Sequence, residues 1–441
     1  MEFLKRIYHY LLSFFSACIY RFPSRKIFVF GVTGTKGKST TVELLSFIFE
    51  YAGIKTAFLS SVRVKIGGRS EKNMTENTMP GRFFIQKFLA GAVRSGCKVA
   101  FVEVTSQGVR QYRHRFIDFN GAVILNLRPE HIEAHGSFEN YRAAKLKFFE
   151  DAARFSRKVP KHFFINEEDP SADLFFDAAH AGGRVCAHER GVYVSDDARG
   201  ESFACNSDLH YFGREHFIET RLAGGRRSIG DWLSNNFNLE NAAAASAVAL
   251  SYGISWETIQ KALSLFPGIP GRMEVVQKTP FAAIVDYAHT PDSLEAAYTA
   301  VKTQYLTPRK GKGIKEKGKC ICVLGAAGGG RDRWKRKELG SIAARFCDTV
   351  ILTNEDPYDE SPEAIIDEIA SGLRGSGSNK NYMRVIDRRE AIRKAIAIAM
   401  EGDVIITTGK GSESWIHLHG GKRTPWNERR VFEEELENSK R

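Results

Sequence analysis

The segment Ile27–Thr41, IFVFGVTGTKGKSTT, decides the first part of the fold. The apolar run at residues 27–30 is typical of a buried strand, and glycines at positions 31, 34 and 37 then turn the chain. Apolar residues next recur at helical spacing, and Gly53 follows them at the position of a C-terminal cap. The segment therefore predicts a strand, a glycine-rich loop and a helix.

The composition of this loop predicts a phosphate-binding loop. Backbone N–H groups and the helix N-terminus would point at phosphate oxygens, while Lys38 supplies charge and Ser39 a hydroxyl for Mg²⁺. The spacing is a variant of the usual pattern, since position 32 is Val and the outer glycine falls one residue earlier, at Gly31. A chance glycine-rich turn is the alternative. The Gly-Lys-Ser-Thr run between strand and helix favours an ATP site.

Length and composition limit the class of protein. A chain of 441 residues exceeds one comfortable core and predicts about two or three domains. The formal charge of +12 suits anionic small substrates such as nucleotides, and basic residues cluster only at 302–319, where a solvated loop is favoured over a nucleic-acid contact. The seven cysteines form neither a disulfide framework nor a zinc pattern. We expect a cytoplasmic protein without a nucleic-acid partner.

An apolar run, LLSFFSACIY at residues 11–20, precedes the loop and follows Lys5 and Arg6. It resembles a short signal peptide, but a strand leading into an ATP loop begins about ten residues later. The run is also too short to span a bilayer. We expect an amphipathic or buried helix over residues 3–20, with peripheral membrane contact as the alternative.

Strands and helices alternate after the loop. The runs KVAFVEVTS (98–106) and GAVILNL (121–127) predict buried strands that end in polar residues, among them Glu103 and Thr105. This alternation predicts a parallel sheet with its ligand at the carboxyl edge. The polar stretch at 67–81 predicts a loop, HFFIN (162–166) a further strand, and short alternating segments at 184–230 a small antiparallel sheet.

A second α/β pattern begins after residues 267–272. Its predicted strands are AAIVDYAH (282–289), CICVLGAAGGG (320–330), TVILTNEDP (349–357), MRVID (383–387) and DVIITTGKG (403–411). The GAAGGG run lacks the G-x-G-x-x-G spacing, so a nicotinamide site is not expected. We expect an N-terminal helix at 1–25, an ATP-binding domain at 26–268 and a second α/β domain at 269–441.

Two groups of polar residues are candidates for binding. The run HIEAH (131–135) resembles a zinc-protease motif, but its Glu is third and it lies in a loop. We interpret Glu103 and His131, at adjacent strand ends, as ligands of a hard metal ion, with a capping or solvated histidine as the alternative. Asn238 and Asn241 begin an alanine-rich helix, where they would read an adenine edge or cap the helix.

Taken in order, these motifs resemble the Mur ligase family, most closely its MurE-type UDP-N-acetylmuramoyl-tripeptide synthetases. The resemblance covers residues 26–430 and rests on GVTGTKGKSTT, EVTSQG, NLRPEHIEAHGSFENYRAAK, FNLENAAAA, GRMEVV, VDYAHTPDSLE, GGRDRWKR, TNEDP and GKGSE. It implies an α/β fold with a P-loop parallel-sheet ATPase domain, a small antiparallel sheet and a Rossmann-like C-terminal domain. It also implies ATP-dependent addition of an amino acid to a muramoyl peptide, through an acyl phosphate, in peptidoglycan synthesis.

The resemblance implies a set of site residues. The ATP-binding positions are Gly34, Thr35, Lys36, Gly37, Lys38, Ser39, Thr40, Asn238, Asn241, Arg272, Asp286 and His289. The Mg²⁺ ligands are Ser39, Thr78, Glu103, His131 and Lys145, with Lys145 as a carbamate formed from CO₂. Lys38, Glu103, His131 and Lys145 are the implied catalytic residues. A carbamate is physically sensible because a bare ammonium would repel the metal ions.

Substrate positions follow from the same resemblance. Those for the muramoyl peptide are Thr78, Thr105, Gln111 and Arg113, and those for the amino acid are Arg331, Asp356, Pro357, Tyr358, Gly409 and Glu413. The uridine-binding domain that begins MurE-type enzymes has no counterpart here, so the precursor is nucleotide-linked or lipid-linked. We expect a monomer.

The amine site also departs from the family. Glu355-Asp-Pro-Tyr358 replaces the Asp-Asn-Pro-Arg associated with diaminopimelate, and Ser412 replaces a frequent His. Because Tyr358 cannot act as an arginine clamp, while Glu355 and Asp356 add negative charge, we expect an acceptor with a cationic or neutral distal end. Lys422 or Arg423 could rebuild the clamp from another loop.

Two other functions remain open from the sequence. A same-fold ligase could lengthen folate with glutamate or polymerise amino acids, although the stretch from His131 to Lys145 favours the Mur side. A nucleic-acid-stimulated P-loop ATPase would use the basic charge, but no helicase-like motif supports it. Only a ligase needs both a carboxylate and an amine to release ADP.

Overall fold

The computed structural model describes residues 2–75, 77–129, 135–183, 185–187, 207–222, 225–230, 232–233, 236–306, 318–330, 333–375 and 382–439. The chain divides into two compact units, Met1–Pro267 and Gly268–Arg441. Within the described ranges, no helix is both long enough and apolar enough to cross a bilayer.

The first unit is built on one sheet with the strand order β4-β3-β2-β5-β1-β6-β7-β9-β8. Its strands are β1 (Phe28–Thr33), β2 (Thr56–Leu59), β3 (Arg63–Ile66), β4 (Arg69–Lys72), β5 (Val99–Glu103), β6 (Gly121–Ile124), β7 (Lys161–Asn166), β8 (Val185–Ala187) and β9 (Ser207–Phe212). In this spatial order, every neighbouring pair from β2 through β5, β1, β6, β7 and β9 to β8 is parallel. The central strands are continuous apolar runs because both faces of the sheet are covered.

Helices cover this sheet. They are α1 (Glu2–Ile19), α2 (Lys38–Tyr51), α3 (Arg82–Arg94), α4 (Ser106–Arg110), α5 (Phe138–Phe155), α6 (Ala172–His180), α7 (Arg214–Arg221), α8 (Asn236–Ser251) and α9 (Trp256–Leu265). Phe148 and Phe149 of α5 are fully buried in the core. A Cβ at Gly31 of β1 would overlap the Phe148 ring, so glycine permits this close packing.

The predicted α/β class is confirmed. The described strands between 184 and 230, β8 and β9, continue the parallel sheet, and residues 188–206 of the stretch predicted to form a small antiparallel sheet lie outside the described residues. Antiparallel pairing lies in β2, β3 and β4. Strand β4 falls in the stretch predicted to be a loop. Its residues are all exposed and polar, so no apolar alternation marked it in the sequence.

The second unit has a sheet with the order β10-β11-β15-β12-β13-β14 and a separate hairpin, β16-β17. Its strands are β10 (Glu274–Gln277), β11 (Ala282–Val285), β12 (Cys320–Leu324), β13 (Thr349–Leu352), β14 (Tyr382–Arg384), β15 (Val404–Thr407), β16 (Trp415–His417) and β17 (Arg423–Pro425). The helices are α10 (Pro291–Gln304), α11 (Trp334–Phe346), α12 (Pro362–Gly375), α13 (Arg388–Ile398) and α14 (Glu428–Asn438). Apart from β10, the main sheet is parallel.

Candidate active site

The phosphate loop joins β1 to α2 through two glycines in the left-handed region. Gly34 has φ of 152°, and Gly37, the residue before α2, has φ of 85°. The Lys38 ammonium donates to the carbonyls of Gly34 and Thr35, at 2.8 and 2.9 Å. The first-turn N–H groups of α2 have no acceptor inside the helix and follow the loop directly, which is the arrangement that binds phosphate.

The neighbouring strand fixes the shape of this loop. Beyond the end of β6, the Asn126 carbonyl accepts from Thr35 N and its side-chain oxygen accepts from Lys36 N, both at 2.9 Å. The Thr35 hydroxyl lies 3.1 Å from the Tyr141 hydroxyl. These contacts hold the middle of the loop, at Thr35 and Lys36, against the neighbouring strand and α5.

Glu240 supports the loop from α8. Its Oε1 accepts from the side-chain amides of Asn126, at 2.8 Å, and Asn166, at 3.1 Å. Burial raises the pKa of the Glu240 carboxyl. Sequence reasoning missed both Glu240 and Asn126, although Glu240 stands between the two asparagines that it singled out and Asn126 lies in a quoted motif.

Two hydrogen bonds through Ser61 connect Ser39, at the end of the loop, with Glu103 of β5. The Ser39 hydroxyl is 2.7 Å from the Ser61 hydroxyl, and Ser61 N donates to Glu103 Oε1 at 2.7 Å. The Glu103 side chain is buried at the carboxyl end of β5, whose Glu103 pairs with Val32 of β1. Hydroxyl and carboxylate oxygens are the ligands that Mg²⁺ prefers, so these residues fit the implied ion. Ser61 was not predicted.

The Lys145 side chain, on α5, contacts the same loop. Its ammonium donates to the Gly34 carbonyl at 2.7 Å and lies 3.4 Å from the Thr33 hydroxyl. The side chain is 2% exposed, and its ammonium lies 4.8 Å from the Tyr141 ring centre. A buried lysine nitrogen beside the phosphate loop suits either a cation for phosphate or, after reaction with CO₂, an anion for metal.

The two asparagines of α8 make different contacts. Asn241 Oδ1 accepts from the Thr41 hydroxyl at 3.2 Å and occupies the place that a Cβ at Gly37 would need. Asn238 instead donates to the Trp232 carbonyl at 2.8 Å. Asn241 therefore packs against the phosphate loop, and both side chains are buried. Thr40 is buried in the first turn of α2.

The predicted muramoyl-peptide positions cluster around α4. Thr105 caps α4 by accepting from Gly108 N at 3.1 Å. The Gln111 side-chain oxygen accepts from the Arg113 guanidinium at 2.7 and 3.0 Å, and that guanidinium also donates to the Met79 carbonyl. Thr78, half-buried, precedes Met79. The structure thus brings these four predicted residues into one region.

Two further titratable groups adjoin this region and were not predicted. Arg82 of α3 donates to the Gln111 carbonyl at 2.6 Å, and its pKa is lowered by burial and by the Arg113 charge. His9 of α1 has its pKa lowered by burial, then by Arg82 and Arg113, which favours its neutral form. The crowded, partly desolvated guanidinium groups of Arg82 and Arg113 suit an anionic substrate.

Two predicted residues, His131 and Arg331, lie outside the described residues, as do residues 307–317 of the basic loop. In the second unit, the three ATP-side candidates are close together. Asp286 accepts from Met273 N and Ala288 N, both at 2.7 Å, and burial raises its pKa. The Arg272 guanidinium lies 4.1 Å from the Tyr287 ring centre, and His289 Nδ1 lies 2.8 Å from the Tyr287 carbonyl.

The predicted amino-acid positions surround a buried lysine. Lys410 donates to Asp356 Oδ1 at 2.9 Å and to Glu413 Oε2 at 2.6 Å, and its side chain is 0% exposed. Glu413 also accepts from the Tyr287 hydroxyl at 3.2 Å. Sequence reasoning missed Lys410 because its importance depends on partners that are distant in the chain. Asp356 therefore forms an ion pair within the protein and shares the Lys410 ammonium with Glu413.

Glu355 is buried beside this cluster. Burial raises its pKa to about 7, although the charges of Lys410 and Arg388 act against that rise. A Cβ at Gly409, whose φ is 100°, would overlap the Glu355 carboxyl group. Glu355 lies against Gly409, and burial favours its neutral, protonated form. The negative charge that Glu355 and Asp356 are expected to add at the acceptor site stays a prediction.

Tyr358 packs on the hairpin instead of facing an open site. Its ring stacks on His417 with centres 5.0 Å apart, and its backbone N donates to the His417 carbonyl at 3.2 Å. Pro357 precedes it, with its carbonyl accepting from Glu360 N at 3.0 Å. Arg423 pairs with His417 across the antiparallel hairpin, so both side chains lie on one face of it.

Two family models match this chain: the Mur ligase middle domain over residues 32–249 and the Mur ligase, glutamate ligase domain over residues 271–411. The chain belongs to the Mur ligase family. It is an ATP-dependent, ADP-forming acid–amino-acid ligase, as the motifs imply. Use of ATP with Mg²⁺ follows from the family, and Ser39 and Glu103 are suitable donors for the ion.

Individual Mur ligases are similar along most of the chain. The UDP-N-acetylmuramoyl-L-alanyl-D-glutamate–2,6-diaminopimelate ligase of Syntrophomonas wolfei is 36% identical over 406 residues, which cover 92% of this chain and 77% of the relative. The UDP-N-acetylmuramyl-tripeptide synthetase of a Roseiflexus species is 36% identical over 423 residues, covering 94% and 79%. A solved 2,6-diaminopimelate ligase shares the fold with a TM-score of 0.55 and 24% identity, covering 94% of this chain and 79% of that one.

Proposed function

We propose that this Mur ligase joins an α-amino acid to the terminal carboxylate of a UDP-N-acetylmuramoyl dipeptide in peptidoglycan synthesis. The observation that supports it best is the group formed by the phosphate loop, the hydrogen-bonded residues Ser39, Ser61 and Glu103, and buried Lys145. The region of Thr105, Gln111 and Arg113 would bind the muramoyl peptide. We place the reaction in the cytoplasm, where ATP is available.

The carboxylate is activated as an acyl phosphate. A carboxylate oxygen attacks the γ-phosphorus of ATP and ADP leaves; the amine nitrogen then attacks the acyl carbon, loses a proton and displaces phosphate. Mg²⁺, when bound, neutralises the phosphate charge. The Lys38 ammonium places a positive charge at the loop, where it would attract the phosphates, and backbone N–H groups would orient them.

An isotope experiment tests this route. With ¹⁸O in the substrate carboxylate, one labelled oxygen should appear in the released phosphate for each amide formed. Label in AMP would show adenylate chemistry and overturn the proposal.

We propose that Lys145 is carbamylated in the active enzyme. CO₂ adds to its neutral amine, and the resulting carboxylate would hold metal together with Glu103 and Ser39. The burial of the amine supports this, because desolvation favours the neutral, reactive form. His131 and Thr78 remain proposed ligands on the strength of the family motifs.

We propose that the acceptor has a distal carboxylate and that Arg423 binds it, in place of the arginine missing at Tyr358. Three contacts support this choice over lysine. Asp356 is paired with Lys410, Glu355 is buried, and Arg423 shares a hairpin face with His417, on which Tyr358 stacks. A guanidinium binds a carboxylate through two parallel hydrogen bonds. Arg331 is proposed to hold the α-carboxylate.

The test compares kcat/KM for meso-diaminopimelate and lysine. Wild type should prefer diaminopimelate, and Arg423→Ala should reduce that preference at least about tenfold, since a charged hydrogen-bonded pair is worth roughly 1.5–3 kcal/mol. Lys422→Ala, one residue away, is the matched control. A wild-type preference for lysine would contradict the proposal and restore the prediction made from the motif.

Helix α1 supports a proposal about location. Most of its large apolar side chains are exposed, whereas an ordinary surface helix buries them. Tyr10 and Phe14 are partly exposed and also pack on the Phe116 ring. We call the exposed residues Leu4, Ile7, Tyr8, Leu11, Phe14, Phe15 and Ile19 the α1 stripe. Ser13 and Ser16 are buried, and Ser13 donates to the Tyr112 carbonyl at 2.8 Å.

We propose that the α1 stripe docks on an anionic membrane. Leaving such side chains in water forgoes about 1.5–3 kcal/mol each. Exposed Lys5, Arg6 and Arg21 accompany the stripe, and each would add about 1 kcal/mol near anionic headgroups. Docking would also bring the ligase to lipid-linked muramoyl peptides. We propose a monomer in this state.

Vesicle sedimentation tests the docking. The protein should bind phosphatidylglycerol vesicles more tightly than phosphatidylcholine vesicles, and Leu11→Glu with Phe15→Glu should abolish binding. Leu265→Glu, at an equally exposed leucine of α9, should leave it unchanged. Absence of binding, or a dimer in solution that the stripe variant dissociates, would contradict the proposal.

A further inference from the structure

Two parallel strands of the first unit place three metal-binding side chain types together. In the register of β7 and β9, His162 pairs with Asp208 and Phe164 pairs with His210. Paired residues of neighbouring strands share a face, as do residues two apart on one strand. His162, Asp208 and His210 therefore lie on the same face of the sheet.

The distances among their ligand atoms match a tetrahedral ion. His162 Nδ1 is 3.3 Å from His210 Nε2 and 3.5 Å from Asp208 Oδ2, and all three atoms lie within 4.8 Å of one another. Nitrogen and oxygen ligands about 2.0–2.1 Å from a tetrahedral Zn²⁺ are separated by about 3.3–3.4 Å. One position of the tetrahedron would be left for water or another donor.

The surrounding structure holds these ligands in place yet leaves access. The His210 ring stacks on Phe164 with centres 4.6 Å apart and planes 12° apart. The His162 and Asp208 side chains are 20% and 29% exposed, so an ion can enter from solvent. Four residues of β7, about 13 Å at 3.3 Å per residue, separate His162 from Asn166 at the nucleotide end of the strand.

We propose that His162, Asp208 and His210 form a binding site for a borderline transition-metal ion, with Zn²⁺ as its occupant. Two imidazoles and one carboxylate suit Zn²⁺ better than Mg²⁺, which prefers oxygen ligands alone. The ion would tie β9, near the outer edge of the sheet, to β7. This site is separate from the Mg²⁺ ligands of the ligase and does not depend on the proposed reaction.

The test is zinc titration of the full chain against a chromophoric chelator, after EDTA treatment and with Mg²⁺ saturating the ligase site. One equivalent should bind, and Co²⁺ in its place should give the visible absorption of a tetrahedral complex. His162→Ala and Asp208→Ala should each raise the dissociation constant at least about tenfold, since even losing a group behind a ligand costs 10- to 100-fold. His419→Ala, at an exposed histidine, is the control.

Thermal unfolding guards against variants that merely misfold. Without metal, the unfolding temperature of each variant gives its own baseline; with zinc, only wild type and the control should gain stability over that baseline. No stoichiometric binding by wild type would overturn the site and leave a hydrogen-bonded histidine pair. Equal zinc affinity in wild type and both variants would overturn it as well.

Discussion

At the scale of single residues, Lys145 bears most of the catalytic proposal. Lys145→Ala should lower kcat at least about a hundredfold, the loss typical of removing one preorganised charge-stabilising group. Lys147→Ala is the matched control, since Lys147 lies on the same helix, is 46% exposed and donates to Asp151 at 3.3 Å. Full activity of the alanine variant at saturating Mg²⁺ would contradict the role of Lys145.

The carbamate itself has a separate readout. Wild type exposed to ¹³CO₂ should give a carbamate signal by NMR that Lys145→Ala lacks. If wild type gives no such signal, but Lys145→Ala still loses activity, Lys145 acts as a cation that binds phosphate and not as a carbamate.

Glu240 offers a test of how the phosphate loop is supported. Glu240→Ala should destabilise the protein by about 1–3 kcal/mol, because the amides of Asn126 and Asn166 lose a buried acceptor. It should also weaken ADP binding, since Asn126 holds Lys36 N. Glu240→Gln retains an acceptor oxygen and should be milder. Urea unfolding measures the stability, and titration with ADP measures the binding. Exposed Glu219→Ala is the control. Equal effects of Glu240→Ala and Glu219→Ala would show that Glu240 does not support the loop.

Glu355 predicts a pH dependence of stability. Its pKa rises from 4.5 to about 7 on folding, so the folded state binds the Glu355 proton more tightly than the unfolded state does. The contribution of this proton to the free energy of unfolding is complete below pH 4.5 and is lost as pH rises through 7. The facing charges are Lys410, Arg388, Asp356 and Glu413. Glu355→Gln mimics the neutral form and should gain stability relative to wild type between pH 5 and pH 8, by at most about 3 kcal/mol. An equal difference at both pH values would refute this.

Residues in local motifs were predictable, whereas their partners were not. Lys38, Ser39 and Glu103 follow from a loop pattern and a strand end, because the carboxyl edge of a parallel sheet gathers such groups. Glu240, Ser61 and Lys410 matter through contacts with distant residues, which spacing does not encode. The ion pair between Asp356 and Lys410 was not predicted for the same reason.

At the scale of elements, α1 joins two roles. Its inner face contacts the predicted substrate region, where Ser13 bonds the Tyr112 carbonyl and His9 lies near Arg82 and Arg113. Deleting residues 1–22 should therefore raise KM for the UDP-muramoyl dipeptide more than KM for ATP. The outward variant Leu11→Glu with Phe15→Glu should leave both constants unchanged for this soluble substrate. Equal KM values before and after the deletion would count against the inner role.

Buried elements were easier to predict than exposed ones. The continuous apolar runs of β5, β6 and β12 identify them as strands, since only a covered parallel sheet removes all polar alternation. Strand β4 is polar on every residue, so no apolar pattern predicted it. Helix α1 was expected, but the exposure of most of its large apolar side chains was not.

At the scale of the whole molecule, the order of the motifs is more informative than any single one. A phosphate loop alone is compatible with an ATPase, a folate ligase or a peptide ligase. The nine motifs that follow one another from residue 26 to residue 430 predicted the family, and the two family models that match confirm it. Substrate identity stays less predictable because it depends on a few side chains, such as Arg423, brought together by the fold.

The central claim is that ATP turnover requires both a muramoyl carboxylate and an amino acid. The most direct measurement is ADP and phosphate release by the full chain with UDP-N-acetylmuramoyl-L-alanyl-D-glutamate, diaminopimelate and Mg²⁺, each omitted in turn. The account predicts one ADP and one phosphate for each amide formed, and almost none when either the carboxylate or the amine is missing. ATP hydrolysis that continues undiminished without them would contradict it.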